Sequence, residues 1–465
     1  MDEAKSYFFC GIGGSGMLPL ALIVQGRGHQ VAGSDRTLDQ GRLADKFEFL
    51  KARGIALFPQ DGSGIAGPDQ IVVTSAAIEE TVPDVVKARE VGATRINRPE
   101  LLAELFNAAG TGIAVGGTSG KSTVTGMIGW ILHACGLGPT VMNGAVMKNF
   151  VSPKVPFASA LVGNGDAFVS EVDESDGSIA LYDPEIAVLN NITLDHKSLD
   201  ELRHLFRDFA ARASVVVLNV DDAETRFLAA ALPQHNQVIY SLQTQDVDLF
   251  GYEIVEEPFA VAFKVRKFGG PPVPVTLQVP GRHNVYNALA ALAAVTAYAV
   301  DLESAARALA GFTGLRRRFE KVGEARGVAV IDDFGHNPDK IAATLRTLHA
   351  FPGRLLLFFQ PHGYGPLRTM KDELIATFAH EMAAGDVLIM SDPVYYGGTT
   401  NREVGSADIV AGVADHGRFA EHVADRAGCA ERLAALARPG DRIVVMGARD
   451  DTLTQFAEQI LAKLG

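Results

Sequence analysis

The sequence predicts an α/β protein of three domains in series. Short apolar runs alternate with helical patterns along almost the whole chain, and a glycine-rich loop joins a strand to a helix at two separate points. The length of 465 residues suits about three domains of ordinary size.

Taken in order, SYFFCGI is a buried strand, GMLPLALIVQGRG a helix closed by glycine, QVAGSD a strand, LADKFEFLKARG a helix, QIVVTSAAI a strand and VPDVVKAREVG a helix. This is a parallel βαβ pattern. NRPELLAELFNAAG is a helix leading to a boundary near Gly110. The second unit opens with TGIAVGGTSGKST and carries strands at AFVSEVD, IAVLNNI and SVVVLNVDD. A β-rich stretch over residues 237–279 follows, in which FGGPPVPV is a loop or hairpin. The alanine-rich NVYNALAALAAVTAYAV is a helix. The third unit starts near GLRRRFEKVGEARGVAVIDDF and alternates through RLLLFFQ, ATFAHEMAAG, DVLIMSD, AERLAALARPG and DRIVVMG to a final helix. The expected domains are 1–109, 110–313 and 314–465.

Composition narrows the function classes. The chain is 47% hydrophobic and 21% charged, as soluble globular proteins are. A net charge of -13 speaks against general affinity for nucleic acid or anionic lipid, while leaving room for a local phosphate pocket. Cys10, Cys135 and Cys429 are far apart and read as reduced thiols of a cytoplasmic protein. The acidic start running straight into a strand is not a signal peptide. No apolar stretch reaches the roughly 18–20 residues of a membrane span.

The chemistry concentrates at strand ends. In Gly117, Thr118, Ser119, Gly120, Lys121, Ser122 and Thr123, a glycine-rich turn would aim backbone N–H groups at an anion where the helix dipole favours it. Lys121 would reach outer phosphates and the Ser122 hydroxyl would coordinate Mg²⁺. Val115 stands where the strict phosphate-loop pattern has its first glycine. The earlier loop (Gly11, Gly13, Gly14, Ser15, Gly16 and Met17) satisfies GxGxxG, with Asp35 about 20 residues on. Alone it would suggest an NAD-dependent oxidoreductase. The pattern predicts a pyrophosphate without saying which molecule carries it.

Glu171, Asp173, Glu174, Asp176, Asp195 and His196 form an acidic set with one imidazole downstream of the phosphate loop, and hard oxygen ligands suit Mg²⁺ on phosphates. Asn284 and Asn287, three apart at a helix start, either hydrogen-bond a base or ribose or cap the helix. Arg316, Arg317 and Arg318 are either a solvated surface or a phosphate clamp brought in by domain closure. Asp332, Asp333, His336 and Asn337 end a strand.

In this order the motifs GxGGxGM, GTxGK[ST], E-x-D-E-S-D, DH, G-x-H-N-x-x-N-A-L-A, R-R-F-E and DD-x-G-H-x-P, together with VVTSAAI and INRPELLAEL, resemble the Mur ligase family over essentially the whole chain. The resemblance implies a Rossmann-like UDP-sugar domain, a central ATP-binding domain and a C-terminal Rossmann-like acceptor domain. It also implies an ATP-dependent amide ligase acting through an acyl phosphate on UDP-N-acetylmuramate or a similar UDP-sugar, with ATP and Mg²⁺; a cytoplasmic monomer or homodimer is expected. By motif, Lys121 and Ser122 would hold phosphates and Mg²⁺, and Glu171 and His196 would bind metal. Asn284 and Asn287 would face adenine, Arg318 the γ-phosphate and Asp333 the ribose. His336 and His362 would lie near the acyl and amine groups. The first loop with Asp35 and Ser75 would hold the UDP-sugar.

Departures from the branch that adds L-alanine bear on the acceptor. Ser119 and Asn337 stand where that branch usually has histidine, and no aromatic follows DH. Gly363 and Pro366 replace two arginines used on substrate, with Arg368 nearby. The resemblance therefore leaves L-alanine, glycine, L-serine, a tripeptide or another amine as the acceptor, and a Mur-like ligase with a different acyl substrate as the alternative.

Overall fold

A computed structural model describes residues 4–76, 78–193, 198–394, 402–448, 450 and 452–465. The chain forms two compact units. The first comprises Met1–Val255, Val261–Gln278 and Arg282–Thr313, and the second Glu256–Ala260, Val279–Gly281 and Gly314–Gly465.

The first unit holds two sheets. One has five parallel strands in the order Ala56–Phe58, Gln30–Ser34, Ser6–Cys10, Gln70–Thr74, Thr94–Asn97. Its strand order reverses at the central Ser6–Cys10, where such sheets open a crevice at their carboxyl ends. The loop Gly11–Met17 lies there. Helix Arg98–Asn107 starts with a capping box between Asn97 and Glu100 and with Pro99 in its first turn.

The other sheet has ten strands. Its buried Thr111–Gly116 pairs in parallel with Ile186–Leu189 on one side and Ala167–Glu171 on the other. Helix Lys121–Ala134 follows directly and packs against Arg282–Ala297, whose alanines allow close approach. FGGPPVPV is the expected hairpin, turning Ala260–Lys267 into antiparallel pairing with Val273–Leu277. Trp130 Nε1 donates to Ala308 O at 2.8 Å and Asn149 Nδ2 to Gly311 O at 2.7 Å, tying the unit's last helix down.

The second unit is a six-stranded sheet ordered Glu320–Ala325, Val328–Asp333, Arg442–Gly447, Leu355–Gln360, Val387–Met390, Phe419–His422. Only the first pairing is antiparallel. Leu355, Leu357 and Phe359 belong to one core and Leu356 and Phe358 to another. Such alternation within an all-apolar strand is what burial on both faces of a sheet requires.

Candidate functional site

The first glycine-rich loop is clasped by its own unit. Gly11 takes φ +81°, which favours glycine. The Gly13 N–H donates to Asp35 Oδ2 at 2.8 Å, and Lys46 Nζ donates to Gly13 O at 3.1 Å. Asp35 Oδ1 accepts from Thr37 N at 2.8 Å and Thr37 Oγ1 at 2.5 Å. Asp35, expected to touch a ligand, thus uses both oxygens to hold the loop and cap a short helix. A Cβ at Gly13 would lie 2.9 Å from Asp35 Oδ2 and 3.1 Å from the Phe47 ring.

The second loop is also braced from below. Gly117 and Gly120 take φ +111° and +88°. Thr118 N donates to Asn191 O at 3.1 Å and Ser119 N to Asn191 Oδ1 at 2.9 Å. Asn190 Nδ2 donates to Asn287 Oδ1 at 2.8 Å, Asn287 Nδ2 to Asn284 Oδ1 at 3.0 Å, and Tyr240 OH to Asn190 Oδ1 at 2.6 Å. A Cβ at Gly120 would sit 2.4 Å from Asn287 Oδ1. Asn284 and Asn287 therefore build a buried polar support beneath the loop. Burial holds the Tyr240 phenol well above its ordinary range, so it remains a donor.

The acidic strand end meets this loop residue by residue. Lys121 Nζ donates to Glu174 Oε2 at 2.7 Å and Gly117 O at 2.9 Å. Ser122 Oγ donates to Glu171 Oε2 at 2.7 Å. Burial works to raise the Asp173 carboxyl, but bonds from Ser175 and the charges of Lys121 and Arg98 hold it below its ordinary range. Asp176 accepts from Ser178 N at 2.9 Å and pairs with Arg98 at 3.6 Å. Asp195 and His196 lie outside the described residues. Among the described residues, no three His, Cys, Asp or Glu side chains converge as a metal cage.

A cleft of about 440 Å³ joins these parts, lined by Gly14, Ser15, Gly16 and Met17 of the first loop, by Lys121 of the second, and by Ser75, Arg98, Gly144, Glu171 and Asp173. The expected Ser75, Lys121 and Glu171 thus line the same cleft. Sequence reasoning missed Arg98 as a site residue. INRPEL showed a helix start, and only the packing against Gly16, whose Cβ would lie 3.1 Å from Arg98 Cδ, places the cation beside the loop. Gly144 was also missed. A Cβ there would fall 2.0 Å from Glu171 Oε1.

In the second unit, the three arginines divide. Arg317, with φ +58°, turns inward and donates to Gly447 O at 2.6 Å and Asp450 O at 2.9 Å, with its Nε 3.5 Å from Asp332 Oδ1. Burial lifts the Asp332 carboxyl to about 6 despite Arg317. Arg318 lies 4.8 Å over the Phe334 ring. Asp333 accepts from Phe319 N, Gly335 N and Thr344 Oγ1 at 2.8, 2.8 and 3.0 Å.

His336 and His362 meet edge to face at 5.5 Å between ring centroids. His336 Nδ1 contacts Phe334 O at 2.9 Å, and burial lowers its pKa to about 4. A neutral ring donating from Nδ1 presents Nε2 as an acceptor. Asn337 caps helix Pro338–His349 by accepting from Lys340 N at 3.0 Å.

Models described as the Mur ligase family catalytic domain, the Mur ligase middle domain and the Mur ligase glutamate ligase domain match residues 6–109, 115–295 and 317–449. The chain is 34% identical to a UDP-N-acetylmuramate–L-alanine ligase of Agrobacterium fabrum over 98% of this chain and 96% of that one. It is 35% identical to one of Sorangium cellulosum over 96% and 94%. In fold it is similar to a UDP-N-acetylmuramate-alanine ligase of Thermotoga maritima, with TM-score 0.78, 24% identity and 98% of each chain covered. It is also similar to a murein peptide ligase of Psychrobacter arcticus, with TM-score 0.70, 24% identity and 99% of each chain covered.

Proposed function

The chain belongs to the Mur ligase family, and we infer from that premise how its two loops are used. It is an ATP-dependent ligase that forms a C–N bond, joining an amino acid or peptide to the carboxylate of UDP-N-acetylmuramate in peptidoglycan synthesis or recycling. The observation that carries the assignment of the loops is the single cleft lined by Gly14–Met17 and by Lys121. A sugar nucleotide cradled by the first loop can present its carboxylate to a γ-phosphate held by the second. A site for hydride transfer has no need of Lys121 there.

The carboxylate oxygen attacks the γ-phosphorus, ADP leaves, and an acyl phosphate remains. The amine nitrogen then attacks the acyl carbon, phosphate departs and the nitrogen gives up a proton. The loop N–H groups and Lys121 bind and orient the phosphates. Arg98 and the first loop bind the UDP-sugar's anionic groups. Asn190, Asn284 and Asn287 fix the backbone of the second loop from beneath. Arg318 is assigned to the γ-phosphate and Asp333 to the ribose. His336 and His362 are assigned to the neighbourhood of the acyl and amine groups.

Ser122 and Glu171, hard oxygen donors 2.7 Å apart, fit Mg²⁺ and would hold it, where the ion would neutralise phosphate charge. Use of a UDP-linked substrate and ATP supports a cytoplasmic reaction.

The test is phosphate release from ATP across a matrix of UDP-sugars against amino acids and peptides. Release that requires both UDP-N-acetylmuramate and an amine supports the assignment, with Lys121→Ala slower by on the order of a hundredfold. No release with any UDP-sugar, or tight NAD binding, overturns it.

A further inference from the structure

We propose that Glu174 competes with nucleotide phosphate for Lys121 and so sets how tightly the second loop holds its ligand; this rests on the reading of that loop as the ATP site. Each acid of the run EVDESD has its own partner. Glu171 answers Ser122, Asp173 caps Ser175, Asp176 caps Ser178, and Glu174 answers Lys121.

The contact is built into the interior. The Glu174 side chain is 6% exposed and that of Lys121 19%, so water and salt screen the pair little. Lys121 lines the cleft, with Glu174 buried behind it. An ammonium has three N–H donors. Two are directed at Glu174 Oε2 and Gly117 O, which leaves one for the cleft. Spanning two phosphoryl groups takes two, so full engagement of a nucleotide must take one of these donors back, and Glu174 is the contact whose negative charge competes with phosphate for the ammonium. That leaves a buried carboxylate short of its partner, which is costly, and the cost is subtracted from binding. Glutamine at this position keeps the shape and an acceptor oxygen while removing the charge that holds the ammonium back.

The experiment is calorimetric titration of the magnesium complex of a non-hydrolysable ATP analogue into the full-length protein, its Glu174→Gln and Glu174→Asp variants, and the Lys121→Met and Lys121→Met/Glu174→Gln proteins. Glu174→Gln should bind about tenfold more tightly, if the pair is closed roughly nine-tenths of the time. Glu174→Asp, with a shorter reach, should show a smaller gain of the same sign. In the Lys121→Met background the gain should shrink to about twofold or less, because the competition runs through that ammonium. A merely structural role for Glu174 would weaken binding, so the sign decides. Equal or weaker binding by folded Glu174→Gln, or by Glu174→Asp should the first not fold, overturns the proposal, as does an undiminished gain without Lys121. Wild-type protein that binds no nucleotide overturns the reading of the ATP site itself, and this proposal with it.

Discussion

The Ser122 hydroxyl donates to Glu171 Oε2 across 2.7 Å, joining the first turn of helix Lys121–Ala134 to the end of strand Ala167–Glu171. The neighbouring Gly144 makes room for this. A Cβ there would stand 2.0 Å from Glu171 Oε1, and the obstructed atom is the far end of a flexible side chain. Gly144→Ala should therefore leave stability within about 0.5 kcal/mol, since the carboxylate can swing aside. Catalysis should fall by about a hundredfold, as expected when a polar group near the reacting phosphates is displaced by an ångström. Thermal melting and phosphate release, measured together, check this. A variant that melts as the parent does and turns over at the parental rate removes Glu171 from the machinery.

The two loops should be separable by mutation. Gly13 has Asp35 and Phe47 within contact distance of any added Cβ, and its N–H is held by Asp35. Gly13→Val would push the first loop off that clasp and should weaken UDP-sugar binding by at least tenfold, on the order of 1.4 kcal/mol. Magnesium-ADP affinity should stay nearly unchanged. Titration of each ligand separately is the check, and equal weakening of both counts against two independent cradles.

How much of this was readable beforehand follows from what each signal depends on. The long buried strands and both glycine loops were legible because periodicity and glycine spacing are local properties. Thr94–Asn97 and Phe419–His422 escaped because edge strands need little apolar character, TRIN being mostly exposed, and the apolar Ala56–Phe58 escaped because three residues carry no periodicity. The loops were legible as glycine spacing, but the internal hydrogen bonds of Asp35 and Asn287 were not. Each is a polar side chain whose partners come from distant segments, so its role as internal support appears only after packing. Three consecutive arginines look alike in sequence, and positive φ at Arg317 and Phe319 selects which one turns inward.

His336 makes the second unit sensitive to acid. Its pKa is lowered by burial to about 4, from 6.5. Between these values the unfolded chain holds a proton that the native one does not, so stability falls as pH drops from about 6.5 to about 4. Asp332, raised by burial to about 6 from 3.8, acts in the opposite sense: its contribution is present below about 3.8 and is lost as pH rises through about 6. His336→Gln leaves Asp332 in place, so comparison with the parent isolates the histidine. The variant should lose less melting temperature than the parent between pH 7 and pH 4.5. Parallel melting curves across that range would show that His336 is not held neutral.

The acceptor is where this chain should part from the relatives named for L-alanine. The segment HGYGPLR has glycine at 363 and proline at 366, where the L-alanine-adding branch carries two arginines. Gly363 takes φ +143° and precedes the short helix Tyr364–Thr369, in which Pro366 is exposed. An arginine does not adopt that backbone without strain. A planar guanidinium fork that pairs with a carboxylate or phosphate has no counterpart in glycine or proline. A substrate charge left unpaired in a closed site costs several kcal/mol, enough to change which substrate wins. We therefore expect inefficient use of L-alanine with UDP-N-acetylmuramate, unless Arg368 or Arg402 supplies the missing charge. Restoring the side chain alone should not restore the activity: Gly363→Arg should destabilise the second unit by at least about 1 kcal/mol. The measurement is kcat/KM for UDP-N-acetylmuramate with L-alanine beside glycine, L-serine and the tripeptide, in the parent and in Arg368→Ala and Arg402→Ala. A strong preference for L-alanine that survives both substitutions would show that the altered segment does not choose the acceptor.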